Sequence, residues 1–147
     1  MKKFRKDSTS PPAQVLHWTA EEHEAGFVAS FIMSERRVRI SELLKPKRRD
    51  DLRRALPHFS WFDSRRLRRA EKSAPSILAE LQAKGAGAEC YLISSDADLD
   101  GRFMSLPAAL DEVEGMSIPT VISCIPGKLA YYEDEWADDR YLLLKAI

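Results

Sequence analysis

Between residues 36 and 72 the chain carries 14 Lys and Arg against five acidic residues, and most of its arginines stand in adjacent pairs: Arg36-Arg37, Arg48-Arg49, Arg53-Arg54, Arg65-Arg66 and Arg68-Arg69. A guanidinium is planar and presents a rigid fork of N–H donors. It grips phosphate or carboxylate through two parallel hydrogen bonds and stacks on flat rings. His58, Trp61 and Phe62 lie between the pairs, as a platform for stacking unpaired bases requires. Arg48, Arg49, Arg53, Arg54, His58, Trp61, Arg65, Arg66, Arg68 and Arg69 are therefore candidate contacts for nucleic acid or another anion. The competing reading is a solvated helical face that docks onto the chain's own carboxylates. The formal net charge of zero and the lack of a recognised nucleic-acid motif favour that second reading.

A second grouping is Asp96-Ala97-Asp98-Leu99-Asp100-Gly101. It resembles the start of an EF-hand calcium loop, in which alternate carboxylates wrap a hard cation and glycine makes the sharp turn. The resemblance implies Asp96, Asp98 and Asp100 as oxygen ligands of a divalent cation, the one cofactor the chain suggests. It stops at these six residues, because Pro107 occupies the twelfth position where a bidentate glutamate belongs. A hairpin turn explains the same residues without metal, since Asp and Gly suit local hydrogen bonds and positive φ.

The remaining reactive groups are sparse. Cys124 precedes a tight turn with Lys128 close by, but a nucleophilic thiol needs a base or a lowered pKa. His17, His23 and His58 all belong to the other half of the chain. The two cysteines and three histidines show no zinc spacing. Glu133, Asp134, Glu135, Asp138 and Asp139 flank Trp136 and read as exposed, solubilising carboxylates at a strand end. Pro126-Gly127-Lys128 lacks the strand–loop–helix context of a phosphate loop. No catalytic residue is assigned.

These groups sit on two electrically opposite halves. Residues 1–72 hold 18 Lys and Arg against 10 Asp and Glu, while residues 73–147 hold five against 13. A length of 147 residues suits one domain with enough core to fold without metal or disulfide. Cys90 and Cys124 read as reduced core thiols in a cytoplasmic setting. The longest apolar stretch, 25–33, is too short to cross a bilayer, so no membrane partner is expected.

The elements follow from periodicity and punctuation. Residues 1–13 read as a disordered basic tail. Residues 14–147 read as one α+β domain, mainly helical over 14–87 and mainly sheet over 88–147. Thr19 and Glu22 have capping-box spacing before a helix with Phe27, Val28, Phe31 and Ile32 on one face. That helix runs on, with a break near Ser34, to a stop before Pro46. A second helix covers 46–56, a short helical turn 65–72, and a third helix 75–84 follows Ser73. From Glu89 the order is β-β-α-β-β-β, with Pro126-Gly127 at the centre of a type II turn. The predicted fold is thus a basic helical half packed on a mostly antiparallel sheet of about five strands. The function this suggests is a small regulatory or protein-interaction module without catalytic activity. Binding of nucleic acid through the arginine pairs of 36–72, or metal-assisted chemistry at Asp96–Asp100, are the alternatives.

Overall fold

Thr19 opens the first helix. Its hydroxyl accepts the Glu22 N–H at 3.1 Å, and the Glu22 carboxylate accepts the Thr19 N–H at 2.8 Å. This capping box satisfies two otherwise free donors and fixes the start of α1, Ala20–Phe31. The computed structural model describes residues 18–70, 73–136 and 139–145, so the basic tail over 1–13 lies outside the described residues. After α1, single turns of 3-10 helix at Ser34–Arg36 and Pro46–Arg48 precede α2, Arg37–Leu43, and α3, Arg49–Ala55. The break near Ser34 and the stop before Pro46 fall where the sequence puts them. Asp50 and Asp51 begin α3 and Arg53 and Arg54 end it, an order that complements the helix dipole.

Among the described residues, six strands form one antiparallel sheet in the order β1-β6-β5-β4-β2-β3. They are β1 Leu67–Arg69, β2 Glu89–Ser94, β3 Phe103–Ser105, β4 Thr120–Ile125, β5 Leu129–Glu133 and β6 Arg140–Leu144. The expected β-β-α-β-β-β order holds from β2 onward, with α5, Leu106–Val113, in its place. The strand count is corrected from five to six. The extra strand, β1, lies in the segment read as a helical turn over 65–72. Only Ser64–Arg66 is helical there, and Leu67, Arg68 and Arg69 pair with Leu143, Leu142 and Tyr141 of β6. Without β1, the open backbone edge of β6 would face solvent, so pairing overrides local propensity.

Alternate residues of each strand face opposite sides. Tyr91, Ile93, Val121, Ala130, Tyr132 and Leu143 pack beneath Phe27, Phe31, Ile40, Leu52 and Leu56 of the α1–α3 layer. Leu92, Ile122, Leu129, Tyr131, Leu142 and Leu144 pack against Ile77 and Leu81 of α4, Ala74–Ala83, and against α5. The sheet is therefore the middle of three layers, and α4 crosses to the face away from the other N-terminal helices. Leu81, with the carbonyl of its last turn, accepts the Ala86 N–H at 3.0 Å, and Gln82 accepts the Gly85 N–H at 3.0 Å. Gly85 takes φ +105°, closing α4 in a Schellman motif.

One close approach locks the layers together. A Cβ on Gly26 would stand 2.5 Å from the Gly127 nitrogen and 2.8 Å from the Pro126 carbonyl carbon. Helix α1 thus rests backbone to backbone on the β4–β5 turn. Gly127 itself has φ +70°, and the Lys128 N–H bonds the Ile125 carbonyl at 2.9 Å, as a proline–glycine turn requires. No helix among the described residues is long and apolar enough to cross a membrane.

Candidate functional site

The paired arginines face the chain's own carboxylates. Arg49 meets both oxygens of Asp100, at 2.7 Å from Nε and 3.0 Å from Nη2, and gives Nη1 to Glu24 at 2.8 Å. Arg53 reaches the same Asp100 at 3.0 Å and also pairs with Asp50. Arg48 and Arg54 share Asp51, each at 2.9 Å. Arg65 lies 2.8 Å and Arg66 4.0 Å from Asp63. Burial pulls the Arg49 guanidinium down, but hydrogen bonds to Asp100 and Glu24 carry it above its ordinary value. Asp63 is held at about 2 by side-chain and backbone hydrogen bonds from Arg65. Arg69 stacks over Tyr141 at 5.3 Å. Trp61 receives Arg36 at 5.1 Å and packs against the α1–α3 core. His58 stands apart with its N–H on Asp134. Aromatics and arginines therefore do not form a shared groove. Arg68 differs from its neighbours, being exposed on β1 with no ion-pair partner among the described residues.

The aspartate turn is drawn into the same pairing. Asp100 points inward, accepts the Ser94 N–H at 3.0 Å and binds Arg49 and Arg53. Asp96 accepts the Asp98 N–H at 2.8 Å, which is a turn-forming contact. Gly101 supplies φ +79°. No group of three or more His, Cys, Asp or Glu among the described residues is arranged to hold a metal ion.

Buried polar groups elsewhere serve the fold. His23 shares a 2.7 Å hydrogen bond with Ser123 and stacks on Tyr91 at 5.4 Å. Burial lowers its pKa to about 4. Cys90 on β2 and Cys124 on β4 lie buried in the same core layer. Burial raises the Cys90 thiol to about 12 and lifts Cys124 well above the usual range, so neither offers a thiolate. Glu133 and Asp134, read as exposed, are buried. Glu133 accepts the Tyr131 hydroxyl and the Gly115 N–H, both at 2.7 Å. Burial raises its pKa.

What remains is a cavity the sequence did not reveal. Four cations from four elements surround it: Arg68 on β1, Lys84 at the end of α4, Lys128 on the β4–β5 turn and Lys145 after β6. Its floor is Ile125, Leu129 and Leu144, and its volume is about 710 Å³. The Schellman motif places Lys84, the Pro126-Gly127 turn places Lys128, and β1 pairing places Arg68. The Lys145 N–H bonds the Lys128 carbonyl at 3.2 Å, and Arg66 donates to the Lys145 carbonyl, which ties the two lysine backbones to the sheet. None of the four cationic side chains has a carboxylate partner among the described residues.

Comparison with known protein families, curated proteins and solved structures gives no match. Four cations without a carboxylate partner among the described residues, set around an apolar floor, raise the local positive potential, favour an anion at the rim and favour an apolar group beneath it. Residues 73–147 contain only five Lys and Arg, and three of them, Lys84, Lys128 and Lys145, meet here. Their scarcity in an acidic half was the available signal. Their spacing along the chain hid it.

Proposed function

We propose that this chain is a regulatory protein-interaction module, and that it docks an acidic segment of another protein into the cavity between α4 and the β4–β5 turn. The observation that carries this reading is the convergence of Arg68, Lys84, Lys128 and Lys145 on an apolar floor. Every other cluster of arginines considered above has a carboxylate or ring of the chain itself. The cations of the cavity have none among the described residues. The floor of Ile125, Leu129 and Leu144 suits an aliphatic side chain, with flanking carboxylates on the rim. An acidic peptide with a leucine between glutamates has that pattern. Single-stranded nucleic acid fits less well, because no aromatic ring among the described residues lines the cavity and base stacking supplies much of such binding.

The test is fluorescence anisotropy with a labelled Glu-rich peptide centred on leucine, beside a labelled single-stranded oligonucleotide. The peptide should bind, and should weaken as salt screens the rim. Lys84→Glu with Lys128→Glu should weaken it at least tenfold, while Arg39→Glu, on the opposite helical layer, should leave it unchanged. Peptide affinity indifferent to the double reversal would remove the cavity from the account. An oligonucleotide that binds while the peptide does not would turn the reading toward nucleic acid.

A further inference from the structure

On the opposite face of the sheet, at the other end of the β5–β6 hairpin, lies a second cavity of the reverse character. It holds about 290 Å³ and is walled by Phe59, Phe62, Tyr132 and Tyr141, with Asp134 and Asp139 at its polar side. Among the described residues, no lysine or arginine lines it. We propose that this cavity binds the charged end of an organic cation, a guanidinium or alkylammonium group of side-chain size.

Three observations lead there. The first is the wall. Aromatic faces carry negative potential, and a cation near them is attracted, more strongly where water is excluded. Tyr141 already takes one guanidinium, that of Arg69, at 5.3 Å from its ring centre, so this ring attracts a cation within the molecule itself. The second is charge. The Asp134 side chain is 6% exposed, and His58 is the one described residue within ion-pair distance of it. It accepts N–H groups of His58 at 2.9 Å and Glu135 at 2.8 Å, which fix the carboxylate without supplying a lysine or arginine counter-charge. A bound cation would add a full counter-charge to a buried carboxylate that backbone N–H donors hold but do not neutralise. The third is size. A volume of about 290 Å³ lies at the lower limit of cavities for drug-sized ligands, roughly 300–1,000 Å³. It suits one side chain or a small amine. His58 stands at the rim with its ring on Glu135 at 2.8 Å and against Trp136 at 5.8 Å, which makes tryptophan emission a reporter of occupancy.

The experiment titrates N-acetyl-arginine amide and N-acetyl-citrulline amide into the full chain, followed by tryptophan fluorescence and calorimetry. Citrulline keeps the shape and removes the charge. Arginine amide should saturate, and citrulline amide should bind at least tenfold more weakly. Asp139→Asn should weaken the arginine ligand several-fold. Tyr141→Leu should do the same, whereas Tyr141→Phe, which keeps the ring, should stay within twofold of the parent. A Gly-Gly-Arg-Gly-Gly peptide separates the sources: tighter binding than the amide assigns the cation to a protein segment, and equal binding assigns it to a free small molecule. Equal affinity for citrulline, or no saturation by either amide at high millimolar concentration, overturns the proposal. Tyr141→Leu and Tyr141→Phe both lie away from the Asp134 hydrogen bonds, so the result does not depend on a variant that misfolds.

Discussion

Arg49 and Asp100 lie 51 residues apart in sequence and meet through two hydrogen bonds of 2.7 and 3.0 Å. One end of this pair belongs to the cationic helical layer and the other to the turn after β2. The opposite charges of the two halves are therefore, at this point, a docking contact between layers. Asp100 also holds Arg53 and the Ser94 N–H. Asp100→Ala should remove about 3–5 kcal/mol of stability, because it leaves a largely buried Arg49 without its main counter-charge. Equilibrium urea unfolding measures this. A loss below about 1 kcal/mol, the range of surface pairs, would show that the contact is weak in solution. Millimolar calcium should leave the melting temperature unchanged, since the Asp100 oxygens already have partners.

Gly26 gives a prediction whose sign is the reverse of the usual one. Alanine is preferred to glycine in a helix by about 1 kcal/mol. Here its Cβ would meet Gly127 and Pro126 backbone at 2.5 and 2.8 Å, and backbone cannot rotate aside. Gly26→Ala should destabilise toward the upper end of the roughly 1–3 kcal/mol typical of overpacking. It should also shift the β4–β5 turn and so weaken peptide binding at Lys128. Thermal melting and the anisotropy assay read the two effects. A more stable Gly26→Ala variant would contradict the close approach.

Much of this architecture was legible where a single local rule applies. Thr19 and Ser73 each accept a backbone N–H from three residues on, and each was recognisable as a cap. Pro126-Gly127 announced its own turn. Two kinds of feature were not legible. Strand β1 depends on the free edge of β6, some 70 residues later, and Leu67-Arg68-Arg69 has no strand signal of its own. The cation-rimmed cavity draws on residues 68, 84, 128 and 145, and no periodicity links them. The arginine pairs, by contrast, are adjacent in sequence and so visible in it. Yet most of the arginines between 48 and 69 meet carboxylates within a few residues or across the layers. Glu133 and Asp134 looked solvated because they adjoin a tryptophan-bearing acidic stretch. Only the sheet's end places them under α5 and beside His58.

Cys90 and Cys124 should be silent in the folded protein. They lie buried in one core layer on adjacent strands, and burial suppresses both thiolates. A maleimide or disulfide probe at neutral pH should label neither until denaturant is added, and then both at comparable rates. Native-state labelling of Cys124 would restore it as a reactive group.

His23 sets the pH behaviour. Its folded pKa of about 4 lies below the ordinary 6.5, and burial is the main cause. The folded state therefore prefers the neutral ring. The contribution is complete above about pH 6.5 and is lost as pH falls from there through 4. A shift of this size corresponds to roughly 3 kcal/mol, at about 1.4 kcal/mol for each pH unit. Glu133 acts in the other direction: its pKa is raised by burial, so the folded state prefers its protonated form, and acidification through that range is favourable. The two opposing slopes can be separated by variants. His23→Phe keeps an aromatic ring against Tyr91 and removes the titration, so its urea midpoint should be flatter between pH 7 and 4 than that of the parent. The variant also leaves Ser123 without its hydrogen bond, at about 1–3 kcal/mol, and so should be less stable at neutral pH. A parent midpoint that does not fall between pH 6.5 and 4, measured in a Glu133→Gln background, would mean that the ring at position 23 is not enclosed as the stacking on Tyr91 indicates.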